Sequence, residues 1–341
     1  MQLSRLFGAA VLLVAAAGCP RTSDCSSDAD CADADPVTID TCNSEGACEH
    51  APVCVGDACR TDPCSPVFPV AGGLKVAVLD VGQGDSIAVI APSGCAALID
   101  GGPSGSGATV RSFLRSHGVP RLDFAVASHY HTDHVDGLLE VEGGSDPVSI
   151  ATVYDRGDSD AVSTAFQHYA AAFDGRRQTV AVGQSWTLCG EVCFRVVGVN
   201  ANGAGSSDEN ALSVVLKLNY GAFTMLLGGD LVGDVEASLR SRAGEVDVYK
   251  VHHHGSATSS TRPFLASLRP SVSLISVGWD NSFGHPSAEA VERLRAIESG
   301  LWLTEDSTHP LGPVEVDVGS EGAFTVSQGA SSVEYAVKPA R

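Results

Sequence analysis

Lysine and arginine are scarce in this chain: 21 stand against 41 aspartates and glutamates in 341 residues, a formal net charge of -20. Residues 19–70 hold ten acids and two arginines, net -8, and Arg5 is the only charge before them, which leaves -13 for residues 71–341. Proteins that hold nucleic acid along its backbone do so largely by releasing counterions with basic side chains. Beyond Arg176-Arg177 the chain has no Lys/Arg run, and Arg240, Arg242, Arg293 and Arg295 read as scattered solvated charge. A tight grip on duplex DNA is therefore not expected, although bound divalent ions would invert the sign locally.

Long hydrophobic runs are missing as well. Residues 6–17 are apolar, but a dozen residues fall short of the roughly 20 needed to cross a bilayer. Flanked by Arg5 and by Gly18, they read as a signal peptide over residues 1–18. The ending Ala16-Ala17-Gly18-Cys19 is similar to a bacterial lipobox, which implies a lipidated Cys19, membrane attachment and an exported lipoprotein in the cell envelope. Ordinary secretion is the rival reading. No longer apolar run follows, so a multi-helix membrane channel is not expected.

No Cys-x-x-Cys pair occurs among the 11 cysteines, which argues against a zinc ribbon. Seven of them (25, 31, 42, 48, 54, 59 and 64) lie among Asp, Ser, Gly and Pro with few large apolar residues. A segment unable to build a core needs disulfides, and an oxidising compartment permits them. Residues 19–70 are thus expected to be a cysteine-rich preface and residues 71–341 a separate domain. With Cys19 lipidated, seven thiols remain in the preface and three in the domain, Cys95, Cys189 and Cys193. Both numbers are odd, so complete pairing requires a bridge between the two segments.

What the chain does have is His129-Tyr130-His131-Thr132-Asp133-His134, three imidazoles and a carboxylate directly after the apolar run 122–128. Side chains of an extended segment alternate faces, so His129 and His131 point the same way and can share one ion; Asp133 and His134 turn toward a second. Imidazole suits zinc, iron or manganese, and the carboxylate favours metals that accept oxygen. A histidine-rich surface loop would have the same composition. Against it stand further ligand candidates placed after predicted strands: Asp230 after residues 223–227, and His252-His253-His254 after residues 246–251. Loops at the carboxyl ends of strands are where α/β sheets place their chemistry.

These segments, together with Leu79-Asp80-Val81-Gly82-Gln83-Gly84-Asp85-Ser86, Ile99-Asp100-Gly101-Gly102, Lys250 to Ser256 and Gly284-His285-Pro286-Ser287, resemble the metallo-β-lactamase superfamily and, within it, the hydrolase-like domain of the ComEC competence proteins. The resemblance covers about residues 72–335 and implies an α/β, four-layer αββα sandwich. It implies a binuclear metal-dependent hydrolase using a metal-bound hydroxide, exported if the signal reading holds, and most naturally a phosphodiesterase or nuclease-like enzyme on small phosphodiester or single-stranded nucleic acid substrates. Two divalent ions, Zn2+ or Mn2+, are expected: His129 and His131 on the first, Asp133 and His134 on the second, Asp230 bridging, and His253 as the further ligand with His254 the second choice. Asp133 and His285 are the expected catalytic residues, one orienting the nucleophile and the other contacting a phosphate or protonating a leaving group. Asp80, Asp100, Asn210, His254 and Ser256 are expected around the ligands or substrate.

One departure concerns the first ion. Superfamily members commonly carry another histidine a little before the bridging aspartate, yet residues 206–215 contain none, leaving Asp208, Asn210 or water in its place. ComEC-like proteins often have Asn and Ser there. The readings that remain beside a phosphodiesterase are a hydrolase of another envelope ester, amide or phosphocholine-like group, and a non-enzymatic surface lipoprotein with a structural metal.

Overall fold

The computed structural model describes residues 64, 73–158, 161–203, 205–319 and 322–339, and the backbone of four short strands before them. The chain divides into two units, residues 1–61 and 62–341. The first contains the antiparallel ladders β1 (Thr38–Cys42) with β2 (Cys48–Pro52) and β3 (Cys54–Val55) with β4 (Ala58–Cys59). The expected signal segment and Cys19 lie outside the described residues.

The second unit opens with β5 (Leu74–Val78), β6 (Ser86–Ile90), β7 (Ala96–Gly101), α1 (Gly107–Ser116), β8 (Arg121–Val126), α2 (Thr132–Val141), β9 (Ser149–Asp155), α3 (Thr164–Ala172) and β10 (Arg177–Thr179). Its second half runs through β11 (Ser185–Leu188), β12 (Val192–Gly198), β13 (Val215–Tyr220), β14 (Phe223–Leu227), α4 (Gly233–Ala243), β15 (Val248–Lys250), α5 (Arg262–Leu268), β16 (Val272–Ile275), α6 (Ala288–Arg295) and β17 (Gly300–Leu303). The strands β18 (Val314–Val318), β19 (Ala323–Gln328) and β20 (Ser331–Ala336) return to the first sheet. The sheet orders are β10-β9-β8-β7-β6-β5-β18-β19-β20 and β11-β12-β13-β14-β15-β16-β17.

Alternation along the strands explains the layering. Val76 and Val78 face one core, together with Phe124, Phe194, Leu216, Leu218 and Met225 from both sheets. Their neighbours Ala77 and Leu79 face the opposite way, onto Leu114, Leu138 and Tyr169 of α1, α2 and α3. On the second sheet Val215, Leu226 and Tyr249 likewise turn outward onto Leu239, Phe264 and Leu294 of α4, α5 and α6. Strands apolar on both faces have to be covered on both faces, and each fully buried Leu, Val or Phe contributes about 1.5–3 kcal/mol. The result is a four-layer αββα sandwich of α/β class.

Parallel pairing runs through β7-β8-β9-β10 and through β14-β15-β16-β17, so the carboxyl ends of these strands share one edge within each sheet. Two disulfides staple this unit, Cys64–Cys193 and Cys95–Cys189. The first is a bridge of the kind the odd cysteine numbers require, tying Cys64 to the buried Cys193 of β12.

Candidate metal centre

The helix α2 begins at Thr132, with His131 as its N-cap in extended backbone. Asp133 and His134 therefore sit in the first helical turn, where the helix dipole favours a carboxylate. The turn is held against β7 by backbone: a Cβ at Gly137 would stand 1.9 Å from the Gly101 carbonyl oxygen. Only glycine permits that approach.

Asp100, at the end of β7 with φ 57°, accepts from the Ser128 N–H and hydroxyl, each at 2.7 Å, and from His134 Nδ1 at 2.8 Å. This fixes the His134 ring and leaves its Nε2 aimed at Asp133 and Asp230. His129, also buried, has Nδ1 3.0 Å from Ser128 Oγ and Nε2 3.0 Å from Nδ1 of the exposed His131.

From the second sheet, Gly228-Gly229 carries Asp230 off β14, and a one-turn 3-10 segment, His252–Gly255, follows β15. Asp230 Oδ1 lies 3.4 Å from His134 Nε2 and 3.3 Å from His254 Nε2. Asp133 Oδ2 is 3.7 Å from the first of these nitrogens and 3.5 Å from the second. One ligand atom from each of Asp133, His134, Asp230 and His254 lies within 4.8 Å of the others. His134 Nε2, Asp230 Oδ1 and His254 Nε2 are buried and lack any hydrogen-bond partner. Three orphaned ligand atoms converging beside a second carboxylate, that of Asp133, fit a divalent cation.

The electrostatics agree. Burial opposes charge on His134, yet the Asp230, Asp133 and Asp100 carboxylates outweigh it and hold the imidazole well above its ordinary value. Burial likewise opposes charge on His254, which Asp230 and Asp85 raise in the same way. Asp133 and Asp230 are held low: burial opposes their ionisation, and the neighbouring histidines overcome it. His129 and His253 are instead pushed down, by burial first.

The three consecutive histidines have three different fates. The buried His252 turns away, Nδ1 3.0 Å from Glu236 Oε1 and its ring stacked on Phe264. His253, with φ 51°, brings Nε2 to 3.7 Å from Asp230 Oδ2 and 3.4 Å from Asn210 Nδ2. His254, with φ 52°, enters the four-residue cluster, its Nδ1 directed at the Ser276 carbonyl at 2.9 Å and lying 3.4 Å from Asp85 Oδ1. Asp85 is in turn paired with the buried Lys250.

Asn210 reaches His253 because Glu209 anchors its loop, accepting from the Tyr130 N–H and from Arg156 Nε and Nη2 at 2.7–2.9 Å. Asp208 is exposed and accepts from the Asn210 N–H. The His285 ring stands 5.3 Å from that of His253 and 6.3 Å from that of His254, and burial followed by these two histidines lowers it to about 4. Ser256 bonds Thr258, and Asp80 accepts from the Gly312 N–H and pairs with Glu305; none of these hydrogen bonds reaches the cluster. Sequence analysis named Asp85 and Lys250 only as motif residues, without a role, and passed over Glu209, Arg156, Ser128 and Glu236. A signal existed for Lys250, a lone cation inside an apolar strand; none existed for the Glu209–Arg156 pair.

Residues 79–156 match the family described as the metallo-beta-lactamase superfamily. The chain is 27% identical over 248 residues to recombination protein 2 of Haemophilus influenzae, covering 71% of this chain and 29% of that protein. It is 31% identical over 251 residues to competence protein ComA of Neisseria gonorrhoeae, covering 72% and 33%. The chain thus spans about a third of the length of the curated relatives it matches. A putative metal-dependent hydrolase from Parabacteroides distasonis is similar in structure, at 11% identity and a TM-score of 0.45 over 69% of this chain and 96% of that one. By the family match, residues 79–156 belong to the metallo-β-lactamase superfamily, and the chain is similar in sequence to the ComEC-like competence proteins over 71–72% of its length.

Proposed function

We propose that the chain is an exported, binuclear metal-dependent phosphodiesterase. The observation that carries this reading is the convergence of unpartnered ligand atoms from both sheets on one pocket, with His129 and His131 adjoining it. Asp133, His134, Asp230 and His254 would hold one ion, and His129 and His131 the other, with Asp230 shared and Asn210 facing the same side. His254 suits the ligand role better than His253, since its Nε2 approaches both Asp133 and Asp230. Two divalent ions, zinc or manganese, would supply Lewis acidity and a nucleophilic water near neutral pH.

The chain's own residues do the positioning. Asp100 orients His134 and the Ser276 carbonyl orients His254, Asp133 orients the attacking water, and His285 faces the substrate from the rim. Export is supported by the signal-like start and by the two disulfides, which persist in oxidising compartments. A second reading, hydrolysis of another ester, amide or phosphocholine-like group, draws support from the acidic balance, which disfavours long polyanions.

The test is hydrolysis of bis-p-nitrophenyl phosphate and labelled single-stranded DNA by the purified chain loaded with zinc or manganese, beside Asp133→Ala. Turnover lost in the variant is the expected result. Bound metal without turnover of either substrate overturns the phosphodiesterase assignment.

A further inference from the structure

Five large hydrophobic side chains are exposed among the described residues, and the two aromatic ones share one loop: Trp279 at 49% and Phe283 at 69%. That loop, residues 278–286, joins β16 to α6 and ends at the rim of the metal centre. The Phe283 ring lies nearly parallel to that of His285, 22° apart with centroids at 5.8 Å, and His285 is the residue that adjoins His253 and His254. A row of rings, Phe283, His285 and His253, therefore leads from solvent to the candidate ligands.

The loop is held, which makes the exposure informative. Asn281 binds it from within, Nδ2 donating at 2.6 Å to the Gly278 and His285 carbonyls and Oδ1 accepting from the Phe283 and His285 N–H groups. At its start, Gly278 N–H donates to Gln83 Oε1 and Trp279 N–H donates to Glu305 Oε2. Gly278 also lies flat against residues 82–83, where a Cβ would meet the Gln83 nitrogen at 2.7 Å. Two aromatics kept in water by a pinned loop beside a reactive pocket are a surface prepared for a planar group.

We infer that Trp279 and Phe283 form a stacking platform for the nucleobase next to the scissile phosphodiester. This rests on the phosphodiesterase reading above and adds the group that such a substrate presents. The charge distribution favours it. Residues 71–341 carry -13, no basic run tracks a phosphate backbone, and the exposed Asp280 follows Trp279 directly. Affinity for a nucleotide then has to come from its base, whose π-face every aromatic side chain can receive without sequence preference. Repulsion of further phosphates by Asp280 restricts the footprint to a nucleotide or a frayed single-stranded end.

The experiment compares two esters with one leaving group, thymidine 5′-(p-nitrophenyl phosphate) and methyl p-nitrophenyl phosphate, on the manganese-loaded full chain. The unaltered chain prefers the nucleoside ester. In Trp279→Ala and in Phe283→Ala the ratio of the two kcat/KM values falls about tenfold, through KM of the nucleoside ester, and Trp279→Phe restores most of it. An unchanged ratio, or equal losses on both esters, overturns the platform. If the unaltered chain turns over neither ester, the phosphodiesterase reading fails instead. The platform is then judged by quenching of Trp279 fluorescence with thymidine 5′-monophosphate, weakened in Phe283→Ala; absence of quenching overturns it. Displacement of that nucleotide by equimolar phosphocholine also overturns it, in favour of a quaternary ammonium ligand.

Discussion

Lys250 and Asp85 form an ion pair that no water reaches: Nζ stands 2.8 Å from Oδ2, with the two side chains 0% and 1% exposed. The other carboxylate oxygen of Asp85 lies 3.4 Å from His254 Nδ1, so a cation on β15 holds the anion that faces a candidate metal ligand. Removing one member strands a buried charge, which costs about 3–5 kcal/mol. Lys250→Ala is expected to lower the urea midpoint accordingly, while Lys250→Met combined with Asp85→Leu recovers part of the loss. Equal destabilisation by the single and double variants would count against this account.

Asp100 supports His134 through its Nδ1 while being itself fixed by two bonds from Ser128. Loss of a carboxylate behind a metal-binding imidazole typically weakens metal affinity about 10–100-fold. Asp100→Ala is expected to show this in competition with a chromogenic chelator. Unaltered affinity would show that the ring needs no such support.

Gly228 lies against His252, whose Nε2 would be 2.2 Å from an added Cβ. His252 has no room to retreat, being bonded to Glu236 and stacked on Phe264. Gly228→Ala is expected to cost about 1–3 kcal/mol by overpacking and to lower the bound metal per chain, because Asp230 hangs from the same turn. Melting and metal analysis of one preparation check both; a variant with normal values for each would remove the argument.

Glu305 titrates in an unusual range: burial, then the Asp80 carboxyl bonded to it, pushes it up to about 7 from an ordinary 4.5. A carboxyl raised in the folded state contributes stability that is fully present below its unfolded value and is lost as pH rises through the folded one. Melting temperature is therefore expected to decline between pH 5 and pH 8 by more in the unaltered chain than in Glu305→Gln. Parallel declines would place the proton elsewhere.

Much of this protein is written locally. Alternating valines and leucines on both faces of strands such as β5 dictate a sheet covered on both sides, and short turns such as Gly228-Gly229 place chemistry at strand ends. The spacing of His129, His131, Asp133 and His134 is likewise a local property, since four residues in six cannot separate far whatever the fold does. The onset of α2 was less legible, because a histidine is not an obvious N-cap and its extended backbone is read only from the structure.

The fates of His252, His253 and His254 were not legible at all. They are consecutive and chemically identical, and only backbone with two successive left-handed residues sends one to Glu236, one to Asn210 and one to Asp230. The partners that hold these groups are far away in the chain: Asp85 for Lys250, Glu209 for Arg156, Asp100 for His134. Sequence alone determined the layered fold and the cluster of potential ligands, because hydrophobic period and short-range spacing are properties of neighbouring residues. Tertiary structure alone decided which ligand atoms converge and what orients them, because that depends on strand order across two sheets, where residues more than a hundred positions apart become neighbours.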